Sequence, residues 1–129
     1  METVVRKYLT SGVALLWVAG QIFVAFSPVS GMLIRPLHVG LALIIVFLSK
    51  PAILRKPAVS LAIDLTFSAA VFFYMIHVLA SSDRIETRIP FVDELTGSDI
   101  FLSIMLIVLL LEAGHRVLGW SMTIITIIL

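Results

Sequence analysis

Asp64 is the residue most out of keeping with its surroundings, a carboxylate inside an apolar run from about Ala58 to Ala80. A charge at membrane depth is costly and is by default a candidate for function. One chemistry is charge neutralisation near the membrane surface, with Arg55 or Lys56 of the preceding cationic link as partner. The other is a coupling site for a proton or sodium ion. A sodium site needs several convergent oxygens, so the lone carboxylate favours pairing. Glu112 and Arg116 form a second constellation, four residues apart and therefore on one helical face. At the lipid boundary such a pair neutralises two charges that are otherwise expensive there. An isolated pair would make replacement of Glu112 alone more harmful than replacement of both residues. His38 and His77 form the third. Facing histidines in a helical bundle can ligate a haem iron or another metal. No further paired ligands accompany them, so hydrogen-bonded or interfacial histidines are expected.

Other chemistries find no support. There is no Ser-His-Asp set, H-E-x-x-H string, phosphate-binding loop or dinucleotide fingerprint. The chain has no cysteine, which removes thiolate metal sites and disulfides. A net charge of +1 gives no field suited to nucleic acid. The expectation is a non-enzyme without cofactor or metal.

The elements that position these residues are membrane helices. Of 129 residues, 60% are hydrophobic and 13% charged, whereas a soluble domain is about half apolar and about a quarter charged. A chain this short cannot bury so much apolar surface in a core of its own, so lipid must cover it. The fold class expected is all-α: an integral membrane bundle forming a single transmembrane domain over residues 1–129. Four spans are expected, at about residues 8–29, 33–49, 58–80 and 99–112, with a truncated or short hydrophobic helix at 117–129. Arg6 and Lys7 before the first run resemble a signal peptide, but the run is long and no cleavage site is convincing, so it reads as a retained anchor. Ser27 to Gly31 breaks the first run with turn formers, and Pro36 suits the first turn of the second helix. Lys50 to Pro57 is a polar link. Ser81 to Ser98 is the longest polar segment, a solvated acidic loop rather than a calcium site, after which Ser98 or Asp99 can cap the next helix. The final 13 residues from Val117 to Leu129 carry no charged closing residue, as if the helix continued in a longer parent. Gly12, Gly20, Gly40, Gly114 and Gly119 are candidates for close helix approach. Trp17 reads as packing, and Tyr74 and Trp120 as interfacial anchors.

With the N-terminus in the cytoplasm, the inner side collects Arg6, Lys7, Lys50, Arg55, Lys56 and Arg116, against Arg35, Arg84 and Arg88 outside. Six cations against three favour that orientation, and place His38 and His77 near the outer ends of their helices.

Leu111-Glu112-Ala113-Gly114-His115-Arg116-Val117-Leu118-Gly119-Trp120 resembles a segment of the fused membrane permeases of TRAP transporters (tripartite ATP-independent periplasmic transporters), especially the TAXI type. Arg35-Pro36-Leu37-His38-Val39-Gly40-Leu41-Ala42-Leu43 is similar to a helix start in that family. Ile63-Asp64-Leu65 followed by Tyr74 is similar to its third helix, and Asp93 and Gly97 fit its acidic loop. The resemblance runs from about Arg35 to Trp120. His115 stands where the family tends to have arginine, and Ser121-Met122 where it has Leu-Pro. The large transport domain that follows in fused permeases is missing from this sequence.

The resemblance implies a small-subunit-like scaffold in a bacterial or archaeal cytoplasmic (inner) membrane. Its partners would be the lipid bilayer, a large permease subunit or domain that carries the substrate and sodium sites, and a periplasmic solute-binding protein delivering organic acids or similar solutes. Asp64, Glu112, Arg116, His38 and His77 would then serve structure or subunit contact. Arg84 and Arg88 would lie on the side where the binding protein docks, where rim charges aid encounter. Two other readings compete. One is a stand-alone membrane anchor or regulatory subunit of another complex. The other is an oxidoreductase subunit holding haem through His38 and His77, for which a Soret band lost on His38→Ala is the test.

Overall fold

The computed structural model describes residues 2–27, 30–52, 57–89 and 92–128. Among them every regular element is a helix: α1 (Glu2–Phe26), α2 (Gly31–Ser49), α3 (Pro57–Ala80), α4 (Ser82–Thr87), α5 (Gly97–Leu118) and α6 (Trp120–Ile128). Three stretches are long and apolar enough to cross a membrane: Val4–Phe26, Ala58–Ala80 and Gly97–Leu118. Leu33–Ser49 is a shorter apolar helix. A helix satisfies its own backbone polar groups, which is why apolar segments of this length adopt it in lipid.

The helix boundaries differ from expectation in informative ways. α1 begins six residues before Tyr8, so Arg6 and Lys7 lie on the helix rather than ahead of it. Pro36 lies inside α2, whose first residue is Gly31, and not in its first turn. It removes one backbone donor there. The fourth apolar run does not stop at Glu112. α5 continues through Arg116 to Leu118, because the charges are paired and need not leave the bundle. Gly119 then ends it with φ of +81°, a left-handed conformation that glycine adopts at no steric cost, and α6 follows. α5 also begins earlier than expected. Thr96 is its N-cap, and the Asp99 carboxylate reaches back to the Thr96 backbone N–H at 3.1 Å. The segment from Ser81 to Ser98 is not loop throughout, since it contains α4.

α2 is the central element. Its Leu43, Ile44, Phe47 and Leu48 are buried together with Val71 and Met75 of α3 and Leu109 and Ala113 of α5. The buried face of α3 runs through Ser60, Asp64, Ser68, Val71, Met75 and Val78, a stripe at helical period. Its polar residues point inward, while Phe72, Phe73 and Ile76 are exposed. That inversion of the soluble pattern suits a helix surrounded by lipid.

Of the glycines, Gly40 alone packs closely. A Cβ added there would lie 2.7 Å from Met75 Cγ and Sδ and 3.5 Å from a Val71 methyl, whereas Gly12, Gly20, Gly114 and Gly119 have open space around them. Met75 is flexible enough to yield to alanine. Gly40→Val is expected to force α2 from α3 and to destabilise the bundle by about 1–3 kcal/mol. Thermal unfolding in detergent checks this, with Gly12→Val as a control expected to leave the midpoint unchanged.

Candidate functional site: a buried ion cluster and an opposite polar end

Near the start of α3, Asp64 is fully buried and its carboxylate is held from two sides. Arg6 of α1 donates from Nη2 to Oδ2 at 2.6 Å, and Ser60 donates to the same oxygen at 3.1 Å. Arg116 of α5 donates from Nη1 to Oδ1 at 2.6 Å. Each arginine also anchors the end of α2. Arg6 Nη1 donates to the Leu48 carbonyl at 3.3 Å, and Arg116 Nη1 donates to the Lys50 carbonyl at 3.0 Å. Arg116 completes the cluster by donating from Nε to Glu112 Oε1 at 2.8 Å. One carboxylate thus draws α1, α2, α3 and α5 to a common point.

The surroundings explain why these charges are tolerated. Two guanidinium groups face two carboxylates, so the cluster is neutral as a whole. Arg116 lies over the Phe47 and Phe67 rings at 5.0 and 5.4 Å, and its second terminal nitrogen has no hydrogen-bond partner among the described residues. Stacking on the negative faces of two rings gives this edge of the guanidinium an electrostatic partner in place of an oxygen.

Arg116 is shared, so Glu112 and Arg116 are not an isolated pair. Glu112 is also more than a third exposed, with His115 3.9 Å away. The expected order of mutant effects therefore reverses. Glu112→Gln leaves Arg116 bound to Asp64 and should cost less than about 1 kcal/mol. Replacing both residues strips Asp64 of one partner and should cost several times more. Thermal midpoints of the two variants against the native chain measure this.

The opposite end of α3 carries a second polar group. His77 Nε2 and Asp99 Oδ1 are 3.1 Å apart, and Arg84 of α4 donates two hydrogen bonds to the Asp99 carboxylate, at 2.6 and 2.8 Å. Thr96 donates to Asp99 as well. The Asp99 carboxylate holds the Arg84 guanidinium above its ordinary pKa range. Arg88 makes one long bond, to the Asp93 carbonyl at 3.4 Å, while the Asp93 carboxylate accepts the Ile89 N–H at 2.8 Å.

His38 is on α2, where Trp17 of α1 donates to its Nδ1 at 3.2 Å and Gln21 lies 2.9 Å from the same atom. The indole donor makes Nδ1 an acceptor, so the ring proton sits on Nε2. Trp17 therefore has a polar role besides packing. His38 and His77 have different partners on different helices, and no group of three His, Cys, Asp or Glu suited to a metal occurs among the described residues. Trp120 is exposed and lies against His115, with ring centroids 4.3 Å apart. An apolar cavity of about 460 Å³ opens between α2, α5 and α6, with Ala42, Leu43, Ala113, Gly114 and Thr123 among its walls.

Glu112 and Arg116 are in contact as their spacing suggested, but the arginines that hold Asp64 are Arg6 and Arg116, from distant helices. Arg55 and Lys56, the neighbours in sequence, lie outside the described residues. Arg6 had been legible only as a cation marking the inner side. The available signal was that Arg6, Asp64 and Arg116 all fall on one side of the expected topology, and that a buried carboxylate requires a cation at the same depth. Asp99 was legible as a cap, not as the anchor for Arg84 and His77.

The fold and the cluster define a membrane-embedded helical protein whose long helices are tied at one end by a neutral ion knot. No family model matches the chain, and no curated protein or solved structure matches it.

Proposed function

We propose that the chain is the small-subunit-like scaffold of a TRAP-type secondary transporter in a cytoplasmic membrane, with four membrane spans, Leu33–Ser49 being the additional one. The observation that carries this reading is the saturation of Asp64. Both carboxylate oxygens are taken by arginines at 2.6 Å, which suits a brace and leaves no free carboxylate for ion coupling. Two of the sequence segments that resemble the family, around Asp64 and around Glu112 to Arg116, meet in this one cluster. A brace must resist motion while its partner moves, and a buried neutral knot joining four helices resists it. Exposed Phe101, Ile107 and Val108 of α5 and Ile124 to Ile128 of α6 provide apolar surface for lipid and for a large permease partner. The solvated residues around α4 would face a solute-binding protein.

Affinity purification of the tagged chain from its native membranes in a mild detergent is the test. Recovery with a large multi-span permease supports the reading, and recovery of the chain alone overturns it. In assembled transporter, Asp64→Asn should leave the sodium dependence of uptake intact. Loss of that dependence with normal assembly would make Asp64 a coupling residue instead.

A further inference from the structure

The polar end of the bundle holds a cavity of about 230 Å³ between the last turns of α3, α4 and the first turns of α5. Its walls are mixed. Val78, Ile85 and Leu102 contribute apolar surface, while Arg84, Arg88 and Asp99 bring charge. Among the described residues, two guanidinium groups and one carboxylate line it. Asp99 is already engaged by Arg84, His77 and Thr96, so Arg84 is neutralised. The Asp93 carboxylate is turned to the Ile89 amide. Among the described residues the half-buried Arg88 guanidinium, which has five N–H donors, makes a single hydrogen bond, at 3.4 Å, and its buried Nε has no partner.

A half-buried guanidinium with unused donors, one of them fully buried, is suited to an acceptor-only, negatively charged group. From these observations we propose that this cavity is an oxyanion site in which Arg88 binds a phosphate group, with Tyr74, His77 and Ser103 supplying further hydrogen-bonding atoms in its walls. The site lies where the apolar stretch Ala58–Ala80 ends and Gly97–Leu118 begins. That is the level of lipid headgroups when these helices cross a bilayer. The apolar residues in the same walls suit the glycerol and first methylenes of a lipid. A lipid headgroup and free phosphate share the recognised chemistry. The proposal stands apart from the transporter reading, because it requires only that the chain sit in a membrane.

The test uses the full chain in a detergent without phosphate, with thermal unfolding followed at fixed ionic strength. Phosphatidylglycerol and inorganic phosphate are titrated separately against chloride. A rise in midpoint with the lipid alone identifies a headgroup site, and an equal rise with inorganic phosphate identifies a free-anion site. Either result supports the oxyanion site, provided Arg88→Gln weakens the apparent affinity by about tenfold or more. Arg35→Gln, which removes an exposed cation elsewhere, should leave it unchanged. Absence of any rise in the native chain overturns the proposal without recourse to a variant. An equal loss in Arg35→Gln shows nonspecific adsorption and also overturns it.

Discussion

Asp64→Leu is expected to destabilise the bundle by about 3–5 kcal/mol, the range for removing one partner of a buried charge pair. The substitution leaves Arg6 and Arg116 near the start of α3 with no buried carboxylate, the partly exposed Glu112 being the one carboxylate still paired with Arg116 among the described residues. Arg116→Leu should cost a similar amount, because Asp64 then keeps a single arginine and the end of α2 loses the bond to the Lys50 carbonyl. The double replacement should cost less than the sum of the two. A coupling of about 1–3 kcal/mol is expected for groups in direct contact. Equilibrium unfolding in mixed micelles, with the chain's own helices as the reference state, measures all three. Simple additivity would show that the two residues act independently and would remove the knot as the brace of the fold.

Phe47→Ala is expected to be the second large effect, about 3 kcal/mol, at the low end for buried aromatic residues. In lipid the transfer term is weak, because separated helices are still surrounded by hydrocarbon. The loss comes from the void left where Phe47 is fully buried, with its 5.3 Å contact to Phe67, and from the missing ring beneath Arg116. Phe47→Leu retains most of the volume but not the ring, so the difference between the two variants separates packing from the cation–π contribution. A Phe47→Ala midpoint equal to the native value would mean that the α2–α3–α5 core is not what holds the bundle together.

Both predictions place stability in a few polar and aromatic residues rather than in the abundant aliphatic ones. Leu110, Ile107 and Phe72 face outward, and their replacement by other apolar residues should matter little. The same logic explains why Ser60 and Ser68 sit on the buried face of α3. Small side chains permit close approach, and their hydroxyls are bonded, Ser68 to the Asp64 carbonyl at 2.8 Å.

Membrane character, helical class and the approximate position of each long helix were legible in the residues, because the length of an apolar run and its turn formers are local properties. The Glu112–Arg116 contact was legible too, since i,i+4 spacing fixes it within one helix. What the sequence could not disclose was which face of each helix is packed. α3 is apolar nearly all round, so hydrophobic periodicity does not mark the stripe through Asp64, Val71 and Met75. The pairing of Asp64 with Arg6 and Arg116 joins residues 58 and 52 positions apart. It depends on the rotation of three helices about their axes. The close approach at Gly40, the bond from Trp17 to His38 and the grip of Arg84 on Asp99 likewise appear only once the helices are packed. Lipid matches apolar side chains wherever they lie, so composition sets the solvent of this chain. The few polar groups that cannot face lipid set its tertiary arrangement.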